Sequence, residues 1–248
     1  MRSFLAAVRF LTIFRLGDGR DDEKRLPRSM VYFPVVGLLL GGLLVAANSL
    51  FAYAGFNALI SNILLVILLL IFTGGLHMDG LADTFDGLSS GKTDKSAILD
   101  IMRDPHTGTM GVLAVIAVIL LKLSLLISID TGMKPAALVL MCVLGRWSMV
   151  LSMSLFPYAR KGGKAGAFIE GMKPAILIIS TMIALAISYF SWQVHGLSIF
   201  AIVAGATYLF GKHATRRIGG ITGDTLGASC ELNETIALFS IYVLSMGL

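Results

Sequence analysis

The sequence predicts an all-α, polytopic helical membrane protein with about seven membrane segments and a cytoplasmic N-terminus. Three observations lead there. Of 248 residues, 56% are hydrophobic and only 14% charged, against about 25% charged in soluble domains. Seven apolar runs approach the ~20 residues that cross a bilayer, and a backbone in lipid must satisfy its own hydrogen bonds, which makes these runs helices. Lysine and arginine, finally, are split unevenly between alternate loops.

The elements follow in order. Residues 1–30 begin "MRSFLAAVRFLTIFRLG", which could pass for a signal peptide, but Arg9 and Arg15 interrupt the apolar part and no small-residue cleavage site follows. The expectation is a cytoplasmic helix lying on the membrane surface, its arginines toward anionic headgroups. Candidate spans are residues 31–54, 58–73, 109–129, 136–156, 174–191, 197–211 and 235–248. The second, sixth and seventh are short enough to be tilted, broken or re-entrant. No soluble-looking block reaches 40 residues, so residues 1–248 are read as one integral membrane domain.

With the N-terminus inside, the cytoplasmic segments carry Arg2, Arg9, Arg15, Arg20, Lys24, Arg25 and Arg28, then Lys92, Lys95 and Arg103, then Arg160, Lys161, Lys164 and Lys173, then Lys212, Arg216 and Arg217. The opposite side carries Lys134, while Lys122 and Arg146 lie inside spans. This is the positive-inside pattern. The outer loops are tight and the inner ones, 74–108, 157–173 and 212–234, are long and rich in glycine and acids, so the working face is expected in the cytoplasm. Cys142 and Cys230 supply no disulfide framework; Cys142 is read as facing core or lipid and Cys230 as sitting in a reducing cytoplasmic loop.

Within "TGGLHMDGLADTFDG", residues 73–87, Asp79, Asp83 and Asp86 are spaced i, i+4, i+7, which places three carboxylates on one helix face. Like charges at a membrane edge repel and lose hydration. A hard divalent cation relieves both effects, and Mg²⁺ suits carboxylate oxygens completed by water and phosphate; a solvated acidic loop is the alternative. In "MRDPHTGTMG", Arg103 and Asp104 precede a turn that opens a span at Gly108, where first-turn amides suit an anion, or else merely cap a helix. The loop "PYARKGGKAGAF" offers Arg160, Lys161 and Lys164 to phosphate, or ordinary positive-inside charge. "RRIGGITGDTLGASCELNE" sets Asp224 beside Gly223, with Glu231 and Glu234 following, and is no Walker loop because no Gly-Lys-Ser/Thr completes it. Arg146 within a span is expected to face the bundle interior or an aqueous cavity; Lys122 is a similar case, with snorkelling as its alternative. His77 is read as a hydrogen-bonded structural residue; His106, His195 and His213 belong to no motif.

These stretches, with "FPVVGLLLG", "YAR" and "GAF", resemble in type and order the cobalamin synthase (adenosylcobinamide-GDP ribazoletransferase) family over nearly the whole chain. At "FLTIFRLGDG" the family has a proline-containing segment, so no site residue is taken from there. The resemblance implies an Mg²⁺-dependent enzyme of the prokaryotic cytoplasmic (inner) membrane with its active site on the cytoplasmic face. It joins adenosylcobinamide-GDP to α-ribazole or α-ribazole 5′-phosphate and releases GMP. On this reading the metal ligands are Asp79, Asp83 and Asp86, with Asp104 and Asp224 as further candidates, and one aspartate could instead be the base. Arg103 and Asp104 serve catalysis, and Arg160, Arg146, Gly108, Gly223 and Asp224 bind substrate. The partners implied are the two substrates and the bilayer, with no nucleic acid; self-association and association with other cobalamin-assembly enzymes are both left open. Rival readings are weaker in the residues themselves. A CDP-alcohol phosphotransferase needs Asp-Gly-x-x-Ala-Arg, whereas Ala82 is followed by Asp83. A prenyltransferase needs a second aspartate-rich helix. A cation transporter would place its charges near mid-membrane, commonly in two related halves.

Overall fold

The computed structural model describes residues 2–16, 26–160 and 162–246. Arg20, Lys24, Arg25, Lys161 and the side chain of Lys164, all counted among the cytoplasmic charges, lie outside the description. Eleven helices are described: α1 (Arg2–Leu11), α2 (Leu26–Ser29), α3 (Phe33–Tyr53), α4 (Ala58–Thr73), α5 (Leu76–Leu88), α6 (Lys95–Ile101), α7 (Thr109–Ser128), α8 (Lys134–Leu155), α9 (Lys164–Glu170), α10 (Pro174–Ile218) and α11 (Gly223–Ser245). The all-α expectation holds. Four helical runs, those containing α3, α7, α8 and α10, are long and apolar enough to cross a membrane, and a fifth is added if α4 and α5 form one bent span.

The bundle is organised around α8, in which every residue from Leu140 to Val150 is buried. Helix α3 lies against it through Gly37 and Gly41. A Cβ on Gly37 would sit 2.5 Å from the Cys142 carbonyl oxygen, and one on Gly41 would sit 2.7 Å from Val139 Cα. Small residues four apart let two backbones approach where lipid provides no hydrophobic drive between helices. Leu38, Leu39 and Leu43 on the other side of α3 are exposed, as a lipid-facing stripe should be.

Helix α10 spans 45 residues, but Trp192 and Gln193 leave helical geometry. The arms fold back on one another: a Cβ on Gly196 would lie 1.9 Å from Ser188 O, although eight residues of straight helix cover about 12 Å. Both arms reach the same side chain of α8. Trp147 donates its indole N–H to Thr181 Oγ1 at 3.1 Å and packs against Phe200, ring centroids 4.1 Å apart and tilted by 35°.

Two long "loops" are corrected. The segment 74–108 contains α5 and α6. Gly74 and Gly75, both left-handed at φ 61° and 69°, end α4 and let the chain turn 89° into α5. The segment 212–234 is almost wholly helix, being the end of α10 and the start of α11, so the helix that holds the expected span 235–248 begins at Gly223, and α11 is not among the described helices long and apolar enough to cross a membrane. Its acids misled the boundary. Glu231 and Glu234 are buried, and Lys122 bonds both while Arg146 bonds Glu234. Lys122 is 2% exposed and therefore does not snorkel. Cys230 is buried in α11, not in a loop. Helix α1 uses Ala6, Ala7, Val8 and Leu11 to pack against protein, so it is docked on the bundle as well as amphipathic.

Candidate active site

The site forms where α5 crosses the starts of α7 and α11. Glycine sets the crossing with α11: a Cβ on Gly80 would fall 2.8 Å from Asp224 O, and one on Gly227 would fall 3.1 Å from His77 O. At the other end of α5, Asp86 accepts the amides of Gly108 at 2.7 Å and Gly111 at 2.8 Å. The anion anticipated at the start of α7 is therefore the protein's own carboxylate. Cβ atoms on Gly108 and Gly111 would lie 2.5 and 2.4 Å from Asp86 oxygens, which explains both glycines. Asp79 and Asp83 remain for other work on the same helix.

Asp224 enters this group at the first turn of α11. The turn is held by a reciprocal cap in which Thr222 Oγ1 accepts from Thr225 N at 3.2 Å and Thr225 Oγ1 accepts from Thr222 N at 2.8 Å. Opposite it stands Arg160, which donates to Asp224 Oδ2 at 2.8 Å. Arg160 is aimed by a short backbone pairing: Ala159 N donates to Ile221 O at 2.9 Å and Ile221 N to Pro157 O at 2.8 Å. Gly220 is required there, since a Cβ would lie 2.3 Å from Pro157 O.

The electrostatics mark Asp83. Its carboxyl is raised from 3.8 to about 6, first by burial, then by Asp79, Asp224 and Asp86, with Arg160 opposing. Burial also raises Asp224 while Arg160 pulls it down. Three carboxylates thus act on Asp83 against one guanidinium. Among the described residues, no three His, Cys, Asp or Glu side chains converge closely enough to hold a metal ion by themselves.

Asp104 stays apart. It is exposed, accepts the amide of His106 at 2.9 Å and pairs with the His106 ring at 2.7 Å, contacts that hold its carboxyl below the usual range. Arg103 is exposed but near enough to act on Tyr158. Arg146, expected to organise the interior, is fully buried against Glu234 and does not line the site. His77 was expected to be hydrogen-bonded; it is 1% exposed and neither ring nitrogen has a partner among the described residues.

A cavity of about 310 Å³ opens beside the carboxylates. His77, Asp79, Tyr158, Arg160, Gly223 and Asp224 form its polar side, and Phe10, Met149, Met153, Phe168 and Leu226 its apolar side. The apolar group escaped sequence reasoning because nothing local distinguishes these residues from packing. Glu231 and Glu234 did carry a signal: two unassigned cations inside spans call for two acids at similar depth.

The model of the cobalamin-5-phosphate synthase family matches residues 3–242. The chain belongs to this family. Relatives named adenosylcobinamide-GDP ribazoletransferase include one from Desulforamulus reducens, 38% identical over 96% of this chain and 95% of its own length. One from Roseiflexus sp. is 39% identical over 95% and 87%, and one from Fusobacterium nucleatum is 34% identical over 98% of each. No solved structure matches. For a cobalamin-5-phosphate synthase family member, the helices with lipid-facing stripes agree with a membrane protein, and the carboxylate group lies at one end of the bundle, where α4 ends and α7 and α11 begin.

Proposed function

We propose that this chain is an adenosylcobinamide-GDP ribazoletransferase that joins adenosylcobinamide-GDP to α-ribazole or its 5′-phosphate, using Mg²⁺. The single observation that carries the site assignment is the meeting of Asp79, Asp83 and Asp224 with Arg160 beside a cavity. In the reaction a ribose hydroxyl oxygen of the ribazole forms a bond to the phosphorus bearing cobinamide. The bond from that phosphorus to the bridging oxygen breaks, GMP leaves, and the hydroxyl proton is lost.

The residues fit the ion. Asp83 is held in a surplus of negative charge that Arg160 only partly offsets, and a divalent cation would relieve it. Since no protein cage is complete among the described residues, the coordination of Mg²⁺ would be finished by water and substrate phosphate, as this ion prefers. When bound, it supplies charge neutralisation to the diphosphate. Two of Asp79, Asp83 and Asp224 would hold it, Asp86 fixes α5 to α7, and Arg160 exchanges its bond to Asp224 for phosphate oxygens. The third carboxylate, not engaged by the ion, would take the hydroxyl proton.

The test is product formation by purified protein in detergent with both substrates, read by corrinoid chromatography. Wild type should release GMP in step with the corrinoid product, and absence of both would overturn the reading. Arg160→Lys keeps charge but loses the planar fork that grips two oxygens; we expect at least ~10-fold loss of kcat/KM with normal yield. Normal activity in this variant would show that charge alone suffices.

We also propose seven crossings with the N-terminus and the site in the cytoplasm, the arms of α10 counting separately. The ends supporting this are tied together: Asp86 binds the start of α7, Gly80 meets Asp224, and Pro157 to Ala159 pair with Ile221. They therefore share a side, and it carries the excess of Lys and Arg. Cysteines introduced singly at Lys95, Lys164 and Arg217, with Cys142 and Cys230 replaced by alanine, should resist an impermeant thiol reagent in intact cells and react after lysis. Labelling of intact cells at any of the three would refute the orientation.

A further inference from the structure

The cavity is placed to receive one substrate piece, and its walls say which. At about 310 Å³ it stands at the lower end of small-molecule pockets, roughly 300–1,000 Å³. That admits a nucleoside and excludes a corrin macrocycle with its side groups, which must stay outside. One wall is aromatic and thioether: Phe10 and Phe168 lie 4.7 Å apart, tilted at 52°, with Met149, Met153 and Leu226 completing it. Such surfaces favour a flat ring system through stacking and sulfur contacts. The other wall is the phosphate side, with Arg160 and Asp224 paired 2.8 Å apart.

Two ring systems are in play if the transferase reading holds, the guanine of the donor and the methylated benzimidazole of the acceptor. Guanine presents several donors and acceptors along its edges, and burying them unmatched is costly. The lining contains no Asn, Gln, Ser or Thr side chain among the described residues; its polar side chains are Asp79, Tyr158 and His77, with Arg160 and Asp224, which already answer each other. A dimethylated benzimidazole carries two methyls and one bare ring nitrogen. The lining offers it apolar walls and two groups with buried nitrogens that lack a partner among the described residues, the His77 ring and Arg160 Nε.

We infer that this cavity, walled by Phe10 from the N-terminal helix and Phe168 from α9, is the acceptor site, holding the benzimidazole ring of the ribazole with its ribose toward Arg160 and the carboxylates. The N-terminal helix then becomes part of the acceptor site, and the guanosine of the donor lies elsewhere on the open face.

Two variants test this. Ala165 lines the cavity, so Ala165→Trp fills it; Phe10→Ala removes part of the stacking wall without blocking anything. Each should raise the KM for α-ribazole phosphate at least tenfold and leave the KM for adenosylcobinamide-GDP within twofold. Equilibrium dialysis of α-ribazole against Mg²⁺-free wild type, with no donor present, should show binding that Ala165→Trp abolishes. Should Ala165→Trp fail to accumulate, Phe10→Ala and the wild-type dialysis decide alone. A rise confined to the donor KM would place guanosine in the cavity and overturn the assignment, as would two unchanged KM values in active variants. Wild type that binds α-ribazole yet forms no product would instead sink the transferase reading and leave the site standing.

Discussion

Asp83→Asn should bring turnover down by at least ~10²-fold while the protein still assembles in the membrane. Asparagine keeps the size of the side chain and one acceptor oxygen but removes its charge, so metal affinity and proton acceptance are both lost. Stability should move the other way. The folded-state carboxyl titrates at about 6 against an ordinary 3.8. Between those values the folded protein keeps a proton that the unfolded chain releases, so Asp83 lowers stability as pH rises through that window, and at pH 7 it is a net cost. Asparagine removes that cost. Product formation against Mg²⁺ concentration separates the roles of the neighbours. Asp79→Asn should be partly rescued by excess Mg²⁺, since other carboxylates remain. Asp86→Asn should suffer chiefly through loosened docking of α7, because both its oxygens already accept backbone amides. If Asp83→Asn matches wild type at limiting Mg²⁺, the cluster is not the metal site.

Arg146→Met should prevent accumulation of folded protein, whereas Arg146→Met combined with Glu234→Leu should restore most of it. Arg146 and Glu234 are both fully buried and bonded to each other, and Lys122 bonds Glu234 and Glu231. Removing one partner leaves an excess buried carboxylate, which costs about 3–5 kcal/mol, whereas replacing a whole pair with apolar groups is often neutral or better. In the double variant Lys122 keeps Glu231 at 2.5 Å, so α7 and α11 stay tied and no charge is orphaned. Detergent-solubilised yield and thermal midpoint measure both variants. A double variant as defective as the single one would mean that the guanidinium itself, not charge balance, is required.

Much of this was legible in the sequence. The spacing of Asp79, Asp83 and Asp86 on a helix face is a local property, and α5 bears it out. Yet that face does not act as one unit: Asp86 turns to the α7 amides, and its place beside Asp79 and Asp83 is taken by Asp224, 138 residues beyond it in the chain. Gly108 read as a ligand site for an anion, which was correct in kind, but the anion is internal. The start of the last helix was misplaced because Glu231, Glu234 and Cys230 look like loop residues until Lys122 and Arg146 are brought against them.

By itself the sequence determined the membrane class, the helical content, the acidic face of α5 and the basic, glycine-rich segment around Arg160, because each follows from composition or from a period of a few residues. Only the tertiary structure decided that Asp224 and Arg160 stand together, that Phe10 and Phe168 wall a cavity, and that four charges are buried in balance. Those facts depend on which backbones can touch. Here the approach is set by glycines at crossings, Gly80 on Asp224 and Gly220 on Pro157, and a glycine carries no side chain from which its distant neighbour can be read.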